Sequence, residues 1–166
     1  MLEKLKPKLY VDSIHDIDFA KLKVNGIKGI IIDLDNTITE WNNCILPEKA
    51  IEWFKKIPEN NLKACVVSNN DENRVFKAAN KLGIPYVAKA NKPRRGAFRK
   101  AMDIMGTSSE ETAVVGDQIF TDILGGNRLD LFTILVVPLT PKEFIGTRVV
   151  RMVERKILKK MFLNKS

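Results

Sequence analysis

The sequence predicts a doubly wound α/β fold, in which one parallel sheet is covered by helices on both faces. Three observations carry that expectation. Short β-branched runs alternate with segments of helical spacing, and the runs are apolar on both faces, as strands of a sheet covered twice must be. Polar residues then collect at the carboxyl ends of those runs, where such sheets bind ligands.

Ile27 to Leu34 reads as the first strand, bounded upstream by Asn25-Gly26. Pro47 opens a helix carrying Ala50, Ile51, Phe54 and Ile57 at helical spacing, and Pro58 ends the pattern. Leu62 to Val67 is the second strand, and Ser68-Asn69-Asn70-Asp71 after it suits a turn and a helix cap. Val75, Ala78, Ala79 and Leu82 mark the next helix, closed by Gly83, before a third strand from Ile84 to Ala88. Pro93 starts a helix that runs through Phe98, Ala101, Met102 and Met105 to Gly106. Thr112 to Val115, Ile119 to Leu129 and Leu131 to Val137 follow as strand, helix and strand. The reading is a single domain over 1–166, with an N-terminal arm (1–26), a core (27–137) and a basic amphipathic segment (138–166).

Composition agrees with one folded domain. The chain has 166 residues, 45% hydrophobic and 29% charged, far from the signature of a disordered chain. Its longest apolar runs are too short to span a bilayer, which takes about 18 residues, and nothing in the first residues marks the chain for secretion. Two cysteines without cysteine or histidine neighbours argue against a disulfide framework and a zinc site, and fit a reducing cytoplasm. The net charge is +8, and residues 142–166 hold eight basic and two acidic residues, so +6 of it lies in the tail. That asymmetry points to local contact with phosphate-rich material, nucleic acid or anionic lipid.

The strand ends carry the chemistry. Asp33-Leu34-Asp35-Asn36-Thr37 follows the first strand, Ser68 the second, Lys92-Pro93 precedes a helix, and Gly116-Asp117 follows the fourth strand, with Asp122 five residues on. Several carboxylates gathered in one crevice repel each other unless a cation lies between them, and hard oxygen donors suit Mg²⁺. A lysine, a serine and loop N–H groups beside it would hold a phosphoryl group. Asp33 could then attack phosphorus, and Asp35, two residues on, could exchange protons with the leaving oxygen and with water. Any one of these residues alone would be read as a cap or turn former; in combination they read as a site.

These four segments, in this order and spacing, resemble motifs I to IV of the haloacid dehalogenase (HAD) superfamily. The resemblance covers Asp33 to Asp122, and the surrounding α/β pattern extends it over 27–137. Asp33-Leu34-Asp35-Asn36-Thr37, Ser68-Asn69-Asn70, Lys92-Pro93-Arg94 and Gly116-Asp117-Gln118-Ile119-Phe120-Thr121-Asp122 look like subfamily IIIA, and within it the YqeG-like group related to phosphatidylglycerophosphate phosphatase. The resemblance implies a Mg²⁺-dependent phosphatase with Asp33 as nucleophile and Asp35 as acid/base. It implies Ser68, Asn69, Lys92 and Thr37 around the phosphate, with Thr37 also bracing the loop. The implied metal ligands are Asp33, the backbone carbonyl of Asp35, and Asp117, with Asp122 outside them. Lys89 is a rival for the lysine role, and the Lys92-Pro93 pairing favours Lys92. The gaps after Asp35 and between Ser68 and Lys92 leave no room for an inserted cap domain, so the crevice is expected to be open.

In the tail, a helix over 147–162 would place Val149, Val150, Val153, Ile157 and Met161 on one side and Arg148, Arg151, Arg155 and Lys159 on the other. It either packs on the domain with a solvated basic face or lies on anionic lipid at the inner face of the membrane. The leading expectation is hydrolysis of phosphatidylglycerophosphate. The alternatives are a phosphatase of a soluble sugar phosphate, nucleotide or phosphoprotein, and a non-catalytic RNA- or protein-binding module, against which the intact Asp35 speaks.

Overall fold

The computed structural model describes residues 2–140 and 145–163. Six strands, β1 (Leu9–Val11), β2 (Gly29–Ile32), β3 (Lys63–Val67), β4 (Tyr86–Val87), β5 (Thr112–Gly116) and β6 (Phe132–Val136), form one sheet. Their order is β1-β6-β5-β2-β3-β4 and every pairing is parallel. The chain leaves β2 toward β3 and β4, then returns to its other side for β5. The carboxyl ends of β2, β3 and β5 therefore open onto the point where strand order reverses, the place such sheets use for ligands.

Helices α1 (Phe19–Val24), α2 (Glu48–Glu59), α3 (Glu72–Leu82), α4 (Arg95–Met105), α5 (Leu124–Asn127) and α6 (Ile145–Leu163) complete the fold. α2 buries Ala50, Trp53, Phe54 and Ile57 and extends one residue past Pro58. The Asp71 carboxylate accepts from the N–H of Arg74 at the start of α3, and Gly83 ends that helix in the left-handed region at φ 66°. One core joins α2 to Ile30, Ile32, Val66, Val115 and Ile134 on one face of the sheet; the other packs Phe98, Ala101 and Met105 of α4 on Ile31, Cys65 and Val114. Alternate residues of each strand feed opposite cores, which is why the strands read as continuous apolar runs.

The N-terminal segment contributes a strand to the sheet, because β1 pairs with β6 from Leu9 to Val11 and makes its edge. The Asn127 side-chain amide donates to the carbonyls of Lys4 and Lys6 at 2.9 Å each and holds that segment against α5. α6 does not divide into an apolar inner side and a basic outer side. Ile157, Leu158 and Met161 pack on Ile119, Ile123 and Leu135, but Val149 and Val153 are exposed while Arg151 and Glu154 face inward. Their partners lie on the loop after β5, and those polar contacts set the rotation of the helix.

Candidate active site

The loop after β2 turns sharply because Asn36 adopts a positive φ of 60°. Its side-chain oxygen accepts from the N–H of Trp41 and from the hydroxyl and N–H of Thr140. The turn sends Asp33 and Asp35 toward the same crevice, about 500 Å³ in volume, whose wall also includes Trp41, Ser68, Asn69, Lys92 and Gln118. Ser68 directly follows β3, and its hydroxyl accepts from the N–H of Asn70 at 3.1 Å. Asn69 grips the main chain of Lys92, accepting from its N–H at 2.8 Å.

Lys92 is buried between two aspartates, its Nζ 2.7 Å from Asp33 and 2.6 Å from Asp122. Lys89, the rival, is exposed. Burial by itself would lower the ammonium pKa, but Asp122 and Asp33 outweigh it and hold the lysine charged. Burial pushes the Asp33 carboxyl up to about 6, against the pull of Lys92 and with repulsion from Asp122 and Asp35 adding to it.

Asp117 directly follows β5 and is buried. Arg151 of α6 donates to both its carboxylate and its backbone carbonyl, and the Thr37 hydroxyl donates to Oδ1 at 3.3 Å. Burial raises the Asp117 pKa well above the usual carboxylate value, Asp33 adds to the rise, and Arg151 opposes it. Carboxylate oxygens of Asp33, Asp117 and Asp122 all lie within 4.8 Å of one another. Three mutually repelling buried carboxylates, two of them with raised pKa values, are the donor set a hard divalent cation would neutralise. Such an ion could be held here.

Thr37 is buried, and its hydroxyl reaches the Asp117 carboxylate from the loop after β2. Asp122 sits inside the charge cluster, with Oδ2 accepting from the Gln118 N–H at 3.2 Å. Gly116 permits that approach, since a Cβ there would fall 2.2 Å from Asp122 Cγ.

Three residues at the site escape sequence reading. Arg74 of α3 reaches back to Asp35 at 2.5 Å, while Asn70 donates to the other oxygen of the same carboxylate at 3.1 Å. Glu154 accepts from the N–H groups of Ile119 and Phe120 at 2.7 and 3.1 Å, capping the π-helical turn Ile119–Ile123. Its neighbour Arg151 lies across from it at 3.1 Å. Arg74 sits three residues after a helix cap, and only its place on the inner face of α3 hinted at the contact.

A parallel sheet with aspartates at the ends of β2 and β5 and a lysine between them is the architecture of HAD-type hydrolases. The HAD-hydrolase-like family model matches residues 89–137. A solved structure of the cobalt-bound deoxy-D-mannose-octulosonate 8-phosphate phosphatase from Haemophilus influenzae shares the fold, with a TM-score of 0.53 and 18% identity over 82% of this chain and 90% of that one. The sequence is 45% identical to the "probable phosphatase YqeG" of Bacillus subtilis over 159 residues, covering 95% of this chain and 92% of that protein. It is 32% identical to a phosphatidylglycerophosphate phosphatase of Arabidopsis thaliana over 93% of this chain, which spans 47% of the plant protein's length. The chain belongs to the YqeG-like phosphatases of the HAD superfamily.

Proposed function

We propose that this phosphatase is a single, capless domain that hydrolyses a phosphomonoester through an aspartyl-phosphate on Asp33, with Mg²⁺ as cofactor and phosphatidylglycerophosphate as substrate. The observation that carries the chemistry is Asp33 at the end of β2, 2.7 Å from the buried ammonium of Lys92 and at the wall of an open crevice. The lipid reading draws on the relatives named as phosphatidylglycerophosphate phosphatases and on the basic, partly apolar face of α6.

In this scheme Asp33, Asp117 and the main-chain carbonyl of Asp35 hold the metal, and Asp122 supports them from beside Lys92. Bound Mg²⁺ would withdraw charge from the phosphoryl oxygens. An oxygen of Asp33 forms a bond to phosphorus as the bond to the leaving alkoxide breaks, and Asp35 gives that oxygen its proton. Asp35 then takes a proton from water as the water oxygen displaces Asp33. Lys92, the Ser68 hydroxyl and Asn69 hold phosphoryl oxygens in both steps. Among the described residues no helix is long and apolar enough to cross a membrane, so lipid substrate would be met from the surface, with α6 against anionic headgroups at the inner face.

The test is phosphate release from phosphatidylglycerophosphate in mixed micelles with Mg²⁺, beside a panel of soluble phosphate esters, for the wild type and Asp33→Asn. Metal-dependent turnover of the lipid above any soluble ester, lost in the variant, is the expected outcome. Turnover of soluble esters alone would replace the lipid with a metabolite, and no turnover of either would end the catalytic reading.

A further inference from the structure

A second groove, larger than the catalytic crevice at about 710 Å³, runs between α6 and the carboxyl end of the β1–β6 edge. Asp117 lines it and is absent from the wall of the crevice, so this carboxylate and its arginine stand at the boundary between the two. Its volume lies within the range that holds a small amphiphilic ligand.

The groove has two kinds of wall. Leu135, Val137, Met152 and Leu158 make an aliphatic side. Arg148, Arg155, Lys156 and Lys159 make the other, all four exposed and without a carboxylate partner among the described residues. The two carboxylates in the groove, Asp117 and Glu154, are both engaged by Arg151 and offset little of that charge. Cations left unpaired around an apolar slot match a ligand with an anionic head and a hydrocarbon chain. Val149 at 60% and Met152 at 56% are exposed beside it, and Tyr10 is the one aromatic residue in its described wall, its ring stacked on Phe162 at 5.9 Å, whereas a single-stranded nucleic acid would call for several aromatic faces in succession.

We propose that this groove binds one anionic glycerophospholipid, its phosphodiester among Arg148, Arg155 and Lys159 and an acyl chain along Leu135, Val137 and Met152. The site deepens the membrane reading above, because it makes α6 a binder of individual lipid molecules and not only a charged surface. It is separate from the substrate crevice, and a phosphodiester there is not hydrolysed.

The probe is dihexanoyl-phosphatidylglycerol below its micelle concentration, measured by calorimetry and by the methyl resonance of Met152, beside dihexanoyl-phosphatidylcholine, inorganic phosphate and an oligothymidylate. Binding of the anionic lipid with a shift of the Met152 methyl, weakened on the order of tenfold or more in Arg155→Glu/Lys159→Glu and unchanged in the control Arg99→Glu/Lys100→Glu on α4, is expected. Thermal unfolding of each variant checks that it folds. Equal affinity for the phosphatidylcholine, tighter binding of the oligothymidylate, a Met152 methyl that stays in place, or no binding would overturn the proposal. Sedimentation with phosphatidylglycerol vesicles separates the two readings: vesicle binding without monomer binding removes the groove and leaves the surface contact standing. Monomer binding without vesicle binding does the reverse. Hydrolysis of phosphatidylglycerophosphate is scored independently of both.

Discussion

Arg151 on α6 and Asp117 at the end of β5 meet as a buried ion pair across 34 residues of chain, with 11% and 0% of their side chains exposed. The last described helix of the fold thereby supplies the counter-charge of one carboxylate of the acidic cluster.

Removing one partner of a buried pair leaves the other charge stranded, at about 3–5 kcal/mol. Arg151→Gln should therefore lower the melting temperature in chelator on the order of 10 °C. A divalent cation can stand in for the lost guanidinium, so added Mg²⁺ should raise the melting temperature more in the variant than in the wild type. Equal Mg²⁺-induced shifts in the two proteins would show that Arg151 and the metal do not share Asp117.

The raised carboxyls give the metal-free protein a distinctive pH dependence. Burial is the leading cause for both Asp33, at about 6, and Asp117, and a carboxyl whose folded pKa is raised favours the fold in its protonated form. For Asp33 that stabilisation is fully present below the ordinary value of 3.8 and is lost as the pH rises through about 6. In chelator, the contribution of Asp33 to the melting temperature should fall from about pH 4 to about pH 6.5, and Asp33→Asn should flatten the slope. Because metal binds the carboxylate form, Mg²⁺ should stabilise more at the upper pH than at the lower.

Arg74 is expected to act through Asp35 as a positioning residue. Its guanidinium and the Asn70 amide hold the two carboxylate oxygens from different sides, which leaves Asp35 one orientation in the crevice. Arg74→Lys should reduce kcat on the order of tenfold with KM little changed and should displace the pH profile of kcat. A loss confined to thermal stability, with kcat and its profile intact, would reduce Arg74 to a packing residue.

The two cysteines should differ in reactivity. Cys65 has no exposed surface and burial pushes its thiol up to about 12, whereas Cys44 is exposed. Titration of the native protein with a thiol reagent should therefore modify Cys44 alone, with Cys65 reacting only in denaturant. Rapid native labelling of both would contradict the packing of β3.

The central sheet was legible because β2, β3 and β5 are buried on both faces, and their residue types alone separate them from the helices. The polar ends were legible for the same reason, since Asp33 and Asp117 each interrupt an apolar run. β1 was not: it is three residues long, Tyr10 at its middle is exposed, and only its pairing with β6 defines it. The orientation of α6 was hidden by a different cause. Helical spacing sorts residues by polarity, but Glu154 is 2% exposed because it accepts from two N–H groups on a distant turn. Arg74 and Thr37 belong to that class too, as polar side chains whose partners are far away along the chain.

Gly116 has no polar side chain and takes no part in any proton or phosphoryl movement, yet the approach of Asp122 leaves no space for even one more carbon at that position. A survey scoring each position by its tolerance to replacement would rank it with Asp33 and Lys92. Intolerance of a changed charge and intolerance of an added atom would look alike in such a map, and Gly116→Ala would be told apart by a lowered melting temperature that leaves its pH dependence unchanged, whereas Asp33→Asn alters that dependence.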